Sequence, residues 1–258
     1  LGYDPRRAAE LSFDLRLQGY DSAQGREFQK RLLERARALP GVESAGIANI
    51  IPVDLHISSE PVYIEGEEPS RPANSPRALT SYITPGYFKA MDRRLLRGRD
   101  FTEYDDNKAA RVAIVNETFA RRSWPGEDPI GKRFALGGAE SPKLEVVGVA
   151  QDGKYTGLNE APKPFVYRPQ WQYRAGATTL VIRAEADAQK ALALVGRKLR
   201  QLDPNMPVAS ARTLVERLSL PLLPARIVAS ALGGFGLVAL SLAAGGIYAV
   251  MSYAVSKR

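Results

Sequence analysis

The chain of 258 residues contains no cysteine and one histidine, His56. Without cysteine it forms no disulfide bond, has no thiol nucleophile and holds no metal through thiolates. With one histidine, a metal site would depend on carboxylates, yet no group of Asp and Glu has the spacing of a metal-binding loop. There is also no Gly-x-Ser-x-Gly elbow. We therefore expect no catalytic residue, metal or cofactor, and a membrane-tethered hydrolase is the weakest hypothesis.

A complete nucleotide-binding motif is missing as well. Residues 126–132 (GEDPIGK) have the spacing of a phosphate-binding loop up to the lysine, but Arg133 follows where a Ser or Thr must bind Mg²⁺. Glu127 and Asp128 would repel an anion, and Pro129 has no N–H to donate. The segment predicts a turn. Residues 234–236 imitate a dinucleotide fingerprint, but no strand precedes them and no acidic partner follows.

Clustered basic charge is also absent. The chain has 36 Lys and Arg against 28 Asp and Glu, a net charge of +8. The arginines are scattered and stand beside acidic residues, which is typical of a solvated surface. The aromatic residues are spread out and form no stacking platform for bases. We expect no nucleic-acid partner.

One long uncharged run is present, at residues 227–256 between Arg226 and Lys257. A helix of about 20 apolar residues crosses a bilayer core, so residues 223–258 predict a transmembrane helix. The folded, charged part before it is then tied to a membrane. Pairs of small residues four apart permit close packing with other transmembrane helices: Ala229 with Gly233, Ser230 with Gly234, and Ser241 with Gly245.

The junction before this run is a candidate coupling site. Thr213 and Glu216 form a capping box that predicts a helix, and Pro221 and Pro224 interrupt it just before the span. Each proline lacks an N–H and restricts the residue before it, so the two shape the junction.

Periodicity divides the rest into units. Residues 12–17 alternate as in a strand, Asp21 is placed to cap a helix, and residues 42–51 predict a second strand. A similar order follows near the other end: a strand around 180–182, a helix beginning at Asp187 and a strand at 207–210. Between them we predict strands at 62–65, 77–83, 112–115 and 144–149, a short helix at 87–91 and a helix capped by Asn116.

This order of predicted strands and helices indicates an α+β fold. Two strand-helix-strand units lie at the ends of residues 1–222, at about 1–90 and 160–222. A different, smaller lobe is inserted between them at about 91–159, and the transmembrane helix follows. We expect residues 1–220 to fold without the span and to bind no nucleotide.

A resemblance to a known family runs through nearly the whole chain. It is carried by residues 39–43 (LPGVE), 84–88 (TPGYF), 96–101 (LRGRDF), 115–120 (VNETFA), 124–132 (WPGEDPIGK) and 146–149 (VVGV). These resemble the periplasmic core domain of MacB/FtsX-type ABC transporter permeases. Residues 246–253 (GIYAVMSY) with Lys257 and Arg258 resemble the start of the FtsX-like permease domain. Within this superfamily, the sequence most resembles the duplicated orphan permeases, in which two such halves share one chain. Residues 91–94 (MDRR) and Ala249 depart from the pattern.

The resemblance implies a bacterial inner-membrane permease whose residues 1–225 are periplasmic, with a porter-like part made of the two end units. It implies no catalytic residue. Its partners would be membrane lipid, the other transmembrane helices, a separate cytoplasmic ABC ATPase and a periplasmic partner protein or exported substrate. The domain would relay ATP-driven motion for export or mechanotransmission. A membrane-anchored sensor or adaptor with a single span is the alternative.

Overall fold

The computed structural model describes residues 2, 4–52, 58–68, 75–157, 160–173 and 176–219, with nine further positions in helical conformation. Those nine are Leu232, Phe235, Gly236, Ala239, Leu240, Leu242, Gly245, Gly246 and Met251. The chain divides into two compact units, Leu1–Val215 and Glu216–Arg258. Within the described residues, no helix is both long and apolar enough to cross a bilayer. The transmembrane helix stays a prediction.

The described part contains eleven strands, five α-helices and two short 3-10 helices. The strands are β1 (Ala8–Asp14), β2 (Val42–Ala48), β3 (Ser59–Ile64), β4 (Arg77–Ile83), β5 (Leu95–Gly98), β6 (Val112–Asn116), β7 (Arg133–Leu136), β8 (Leu144–Ala150), β9 (Phe165–Pro169), β10 (Ala177–Ala184) and β11 (Val208–Thr213). The helices are α1 (Ser22–Arg37), α2 (Tyr87–Ala90), α3 (Glu117–Ser123), α4 (Ala188–Leu202) and α5 (Leu214–Ser219).

Local capping chemistry fixes where the two long helices begin. The Asp21 carboxylate accepts hydrogen bonds from the N–H groups of Ala23 and Gln24, and the Gln24 side chain accepts one from the Asp21 N–H. The Asp187 carboxylate caps α4 by accepting hydrogen bonds from the N–H groups of Gln189 and Lys190. The predicted starts of both helices are confirmed. Such starts can be predicted from sequence because a capping residue acts on N–H groups only two or three residues away.

Four antiparallel strands, in the order β11-β1-β10-β2, pack against α1 and α4. Leu11 of β1, Leu32 of α1, Leu180 of β10 and Val195 of α4 are buried in one apolar cluster. Fully burying such a side chain contributes roughly 1.5–3 kcal/mol. This cluster makes the four strands and two helices one layered body.

Six other strands close into a ring in the order β4-β3-β7-β8-β6-β9, because β9 pairs with β4. The β4–β9 and β6–β8 pairs are parallel, and the others are antiparallel. Val115 of β6 lies opposite Val166 of β9, and both are buried in one apolar cluster. Phe119 of α3 belongs to the same cluster. Strands on either side of residues 90 and 160 contribute to the ring, so the limits of an inserted lobe stay a prediction.

Asn116 holds the ring to α3 with all four hydrogen bonds of its amide. Its oxygen accepts from the N–H groups of Phe119 (3.1 Å) and Phe165 (2.8 Å). Its nitrogen donates to the Asp152 carboxylate (2.5 Å) and the Lys163 carbonyl (2.9 Å). The residue is fully buried. The predicted helix cap is confirmed, and three more bonds join it to distant segments.

The strand predicted over residues 12–17 is wrong in its second half. β1 ends at Asp14, whose carboxylate accepts a hydrogen bond from the Arg16 N–H and begins a short 3-10 helix at Leu15–Gln18. That helix ends at Gly19, which has a φ of 73°. Such a φ favours glycine. A local side-chain bond overrides the alternating pattern here.

The predicted turn at residues 126–132 is confirmed. The N–H groups of Glu127, Ile130, Gly131 and Lys132 donate to oxygen atoms of Trp124, Asp128, Val146 and Pro129, respectively. The Lys132 ammonium lies 2.6 Å from the Glu127 carboxylate. Donors that would hold a phosphate are thus already used within the chain.

The loop from β8 to β9 is organised by the Glu160 carboxylate. It accepts hydrogen bonds from the N–H groups of Tyr155 and Thr156, and it pairs with Lys163 at 2.8 Å. Burial opposes ionisation of Glu160, but the hydrogen bonds from Lys163, Thr156 and Tyr155 outweigh it and lower its pKa to about 2. The ionised carboxylate therefore stabilises this loop.

We expect Glu160→Gln to lower the free energy of unfolding at pH 7 by about 1–2 kcal/mol, less than the whole pKa shift because Lys163 faces solvent. The native pKa is lowered, so the contribution is full above about pH 4.5 and is lost as the pH falls towards 2. Denaturation of both proteins across this range should show their difference shrinking. An exposed control, Glu140→Gln, should show no such trend, and a pH-independent difference for Glu160→Gln would contradict the assignment.

Candidate functional site

The first and last strands of the 1–215 unit lie side by side. β1 pairs with β11 in antiparallel register, with Ala9 opposite Thr213 and Glu10 opposite Arg212. Residues more than 200 positions apart in sequence are therefore direct neighbours. The chain enters the folded unit and leaves it at one place, and this pair of strands is the candidate site.

A buried carboxylate joins these two strands on one face of the sheet. Glu10 is fully buried, and its Oε1 accepts hydrogen bonds from Arg212 Nε at 2.7 Å and Ser210 Oγ at 3.2 Å. The side chain of Arg212 is 31% exposed. Hydrogen bonds to a charged group in a buried setting are stronger than neutral ones. The Glu10 cluster (Glu10, Ser210 and Arg212) therefore adds to the backbone pairing of β1 and β11.

The segment before β1 is fixed by a second buried side chain. Arg183 of β10 is 2% exposed. Its Nη2 donates to the carbonyl of Asp4 at 2.8 Å, and its Nε donates to the carbonyl of Ala90 at 3.1 Å. Burial lowers the pKa of Arg183. One side chain thus ties the incoming segment to the C-terminal end of α2.

The four-stranded part is joined to the ring around the turn between β4 and α2. Gly46 of β2 lies so close to α2 that a Cβ there would be 2.4 Å from the Tyr87 Cα. The Thr84 hydroxyl accepts from the Ile47 N–H at 2.8 Å, and Arg37 of α1 donates to the Pro85 carbonyl. Close backbone contact needs glycine at this position. These contacts join β2 and α1 to the turn that follows β4 and to α2.

Most of the site residues predicted from sequence lie outside the described residues. These are Ala229, Ser230, Gly233, Gly234 and Ser241 among the helix-packing candidates, and Pro221 and Pro224 at the junction. Gly245 is described and helical. Their roles stay predictions.

The sequence reasoning missed the Glu10 cluster. The available signal was a charged residue alternating with Leu11 and Phe13 in β1, which places Glu10 on the opposite face of the strand. Its partners at Ser210 and Arg212 follow from tertiary pairing, which a single sequence does not reveal. Elsewhere in the described part, no group of three or more His, Cys, Asp and Glu could hold a metal ion.

Comparison with known proteins establishes the family. The family model described as the MacB-like periplasmic core domain matches residues 11–202, most of the chain. The chain belongs to this family, whose members are parts of MacB-like ABC transporter permeases. A search of curated proteins finds no significant match.

Two solved structures share the fold. The periplasmic region of MacB from Actinobacillus actinomycetemcomitans has a TM-score of 0.55 and 14% identity, over 84% of this chain and 93% of that one. The extracellular domain of the ABC-type transporter YknZ from Gram-positive bacteria has a TM-score of 0.51 and 16% identity, over 79% and 100%. The described part of this chain therefore has the mixed α/β fold of MacB periplasmic domains.

We expect Arg212→Met to lower the free energy of unfolding by about 2–3 kcal/mol, because it takes a charged partner from a fully buried carboxylate. Arg16→Met is the matched control, since Arg16 pairs with Asp14 at the same 2.7 Å but is 68% exposed. That variant should lose much less stability, because an ion pair exposed to solvent contributes little. Denaturant unfolding of the full chain in detergent measures both, and equal losses would contradict the role given to the Glu10 cluster.

Proposed function

We propose that this chain is the extracytoplasmic domain and an adjoining membrane segment of an ABC transporter permease. The observation that carries the proposal is the pairing of β1 with β11, which brings the two ends of the domain together. A domain inserted between two neighbouring membrane helices needs this arrangement. A domain on a single anchor has no need for it.

The proposed role is mechanical. A separate cytoplasmic ATPase drives the membrane helices, and their motion passes through residues 216–226 into β11. Hydrogen bonds between β11 and β1, with the Glu10 cluster, pass it on to β10 and β2. The ring would then act on a periplasmic partner protein or exported substrate. We infer that the domain itself is not an enzyme.

The membrane-facing part of the proposal rests on sequence. Residues 223–258 would span the bacterial inner membrane with Lys257 and Arg258 on the cytoplasmic side, which is a weak positive-inside bias. The small-residue pairs at Ala229, Ser230 and Ser241 would contact other helices of the permease. Residues 1–225 would be periplasmic, as the periplasmic and extracellular relatives suggest.

Inserting a flexible Gly-Ser linker between Leu223 and Pro224 should uncouple transport from ATP hydrolysis in the complete transporter. The domain should still fold, because a flexible insertion at a junction costs little free energy. Transport and ATPase rates measured together give the coupling ratio. The same linker inserted between Gly137 and Gly138, in the turn after β7, is the control and should leave that ratio unchanged.

Unchanged coupling in the Leu223 insertion, with normal folding and membrane insertion, would show that the domain is a passive tether. The sensor or adaptor hypothesis would then be favoured. Loss of coupling in both insertions would show that the linker acts through general destabilisation, which the folding measurement would detect.

A further inference from the structure

Arg93 is an arginine buried in the core beside α2. The residue is 4% exposed, and among the described residues no carboxylate lies within ion-pair distance of it. Burying an unpaired charge costs several kcal/mol. Other groups must therefore offset that cost.

Two tyrosines offset part of the free-energy cost of burying Arg93. Arg93 Nη1 donates to the hydroxyl of Tyr155 at 3.2 Å and to the hydroxyl of Tyr167. The guanidinium carbon lies 5.2 Å and 5.9 Å from the centroids of the same two rings. Burial raises the pKa of both phenols, so both are neutral at neutral pH. The neutral tyrosines solvate the cation without forming an ion pair with it.

The opposite edge of the guanidinium has no acceptor. Nε and Nη2 of Arg93 are buried and make no hydrogen bond in the described structure. Together they form the side of the planar group that binds anions with two parallel hydrogen bonds. Gly153 packs instead against the other end of the group, where a Cβ would be 2.2 Å from Nη2 and 3.2 Å from Nη1. The loop after β8 thus packs backbone rather than a side chain against the Nη1–Nη2 end of Arg93.

In Arg183, backbone carbonyl groups of the protein accept the hydrogen bonds of the corresponding Nε–Nη2 edge. Arg183 is also buried, but its Nε and Nη2 donate to the carbonyls of Ala90 and Asp4. The two arginines lie near the same end of α2, since Arg183 contacts Ala90 and Arg93 follows that helix. They differ in having or lacking protein acceptors for the fork. Arg183 is therefore a matched control within one molecule.

We propose that the Nε–Nη2 edge of Arg93 binds a small monovalent anion, such as chloride. One negative charge balances the one buried positive charge. Two N–H groups directed to the same side supply two hydrogen bonds. The burial of the site limits the occupant to an ion of a few atoms.

The test is thermal unfolding of the full chain in detergent at constant ionic strength, with chloride replacing the much larger gluconate. A ligand that binds only the folded state raises the melting temperature in proportion to ln(1 + [L]/Kd). For the wild type we expect a rise of roughly 3–6 °C for each tenfold excess over Kd. Formate in place of chloride distinguishes an oxyanion from a halide.

Arg93→Met should remove the chloride dependence, whereas Arg183→Met should keep it despite a lower melting temperature. Should Arg93→Met fail to fold, Arg93→Lys keeps the charge without the planar fork, and its chloride affinity should fall at least tenfold. Line broadening of the ³⁵Cl resonance by the wild-type chain supplies a second readout. A wild-type melting temperature equal in chloride, formate and gluconate would overturn the proposal and leave a buried water as the acceptor. A chloride response in Arg93→Lys equal to that of the wild type would also overturn the proposal.

Discussion

β1 and β11 lie side by side and hold each other by backbone hydrogen bonds and by the buried Glu10 carboxylate. Every other strand of the four-stranded part is positioned from this pair, since β10 joins β1 and β2 joins β10. Separating the two strands would expose Glu10, which is fully buried, and free the edge of β1. In the proposed mechanism, this pair is the place where force applied at either end of the domain would enter the sheet.

The ring of six strands continues the hydrogen-bonded sheet beyond the four-stranded part. Closure of β9 onto β4 gives each of its six strands two partners, so no strand of the ring can slide without breaking a neighbour's hydrogen bonds. Asn116 joins β6 to α3, β9 and the loop between β8 and β9 by four hydrogen bonds, and Gly46 of β2 joins the four-stranded part to α2 by close backbone contact. The proposed mechanism therefore has the 1–215 unit transmit motion as one body rather than by an internal change of shape.

The sequence predicted well the features that depend on nearby residues. Asp21, Asp187 and Asn116 each cap a helix through atoms two or three residues away, and capping residues are recognisable in a single chain. Gly126 and Gly131 likewise mark a turn by their positive φ values. The resemblance to MacB-type permeases added the family, which local patterns could not supply.

Features that depend on distant residues were not predictable in the same way. Closure of the ring needs β4 beside β9, and the Glu10 cluster needs Arg212 beside β1, both across long sequence separations. Residues 91–94 depart from the family pattern, but only the fold shows that Arg93 is buried beside two tyrosines. Hydropathy places an arginine at the surface by default.

Locking β1 to β11 with a disulfide tests most directly whether the two strands stay paired while the transporter works. The chain has no cysteine, so Ala9→Cys with Thr213→Cys introduces a single pair at directly opposite positions. ATP-driven transport by the complete transporter would be measured oxidised and reduced. If the domain moves as one body, both forms transport at the same rate. Loss of transport on oxidation that a reductant restores would show that the strands separate during the cycle and would contradict the proposed mechanism.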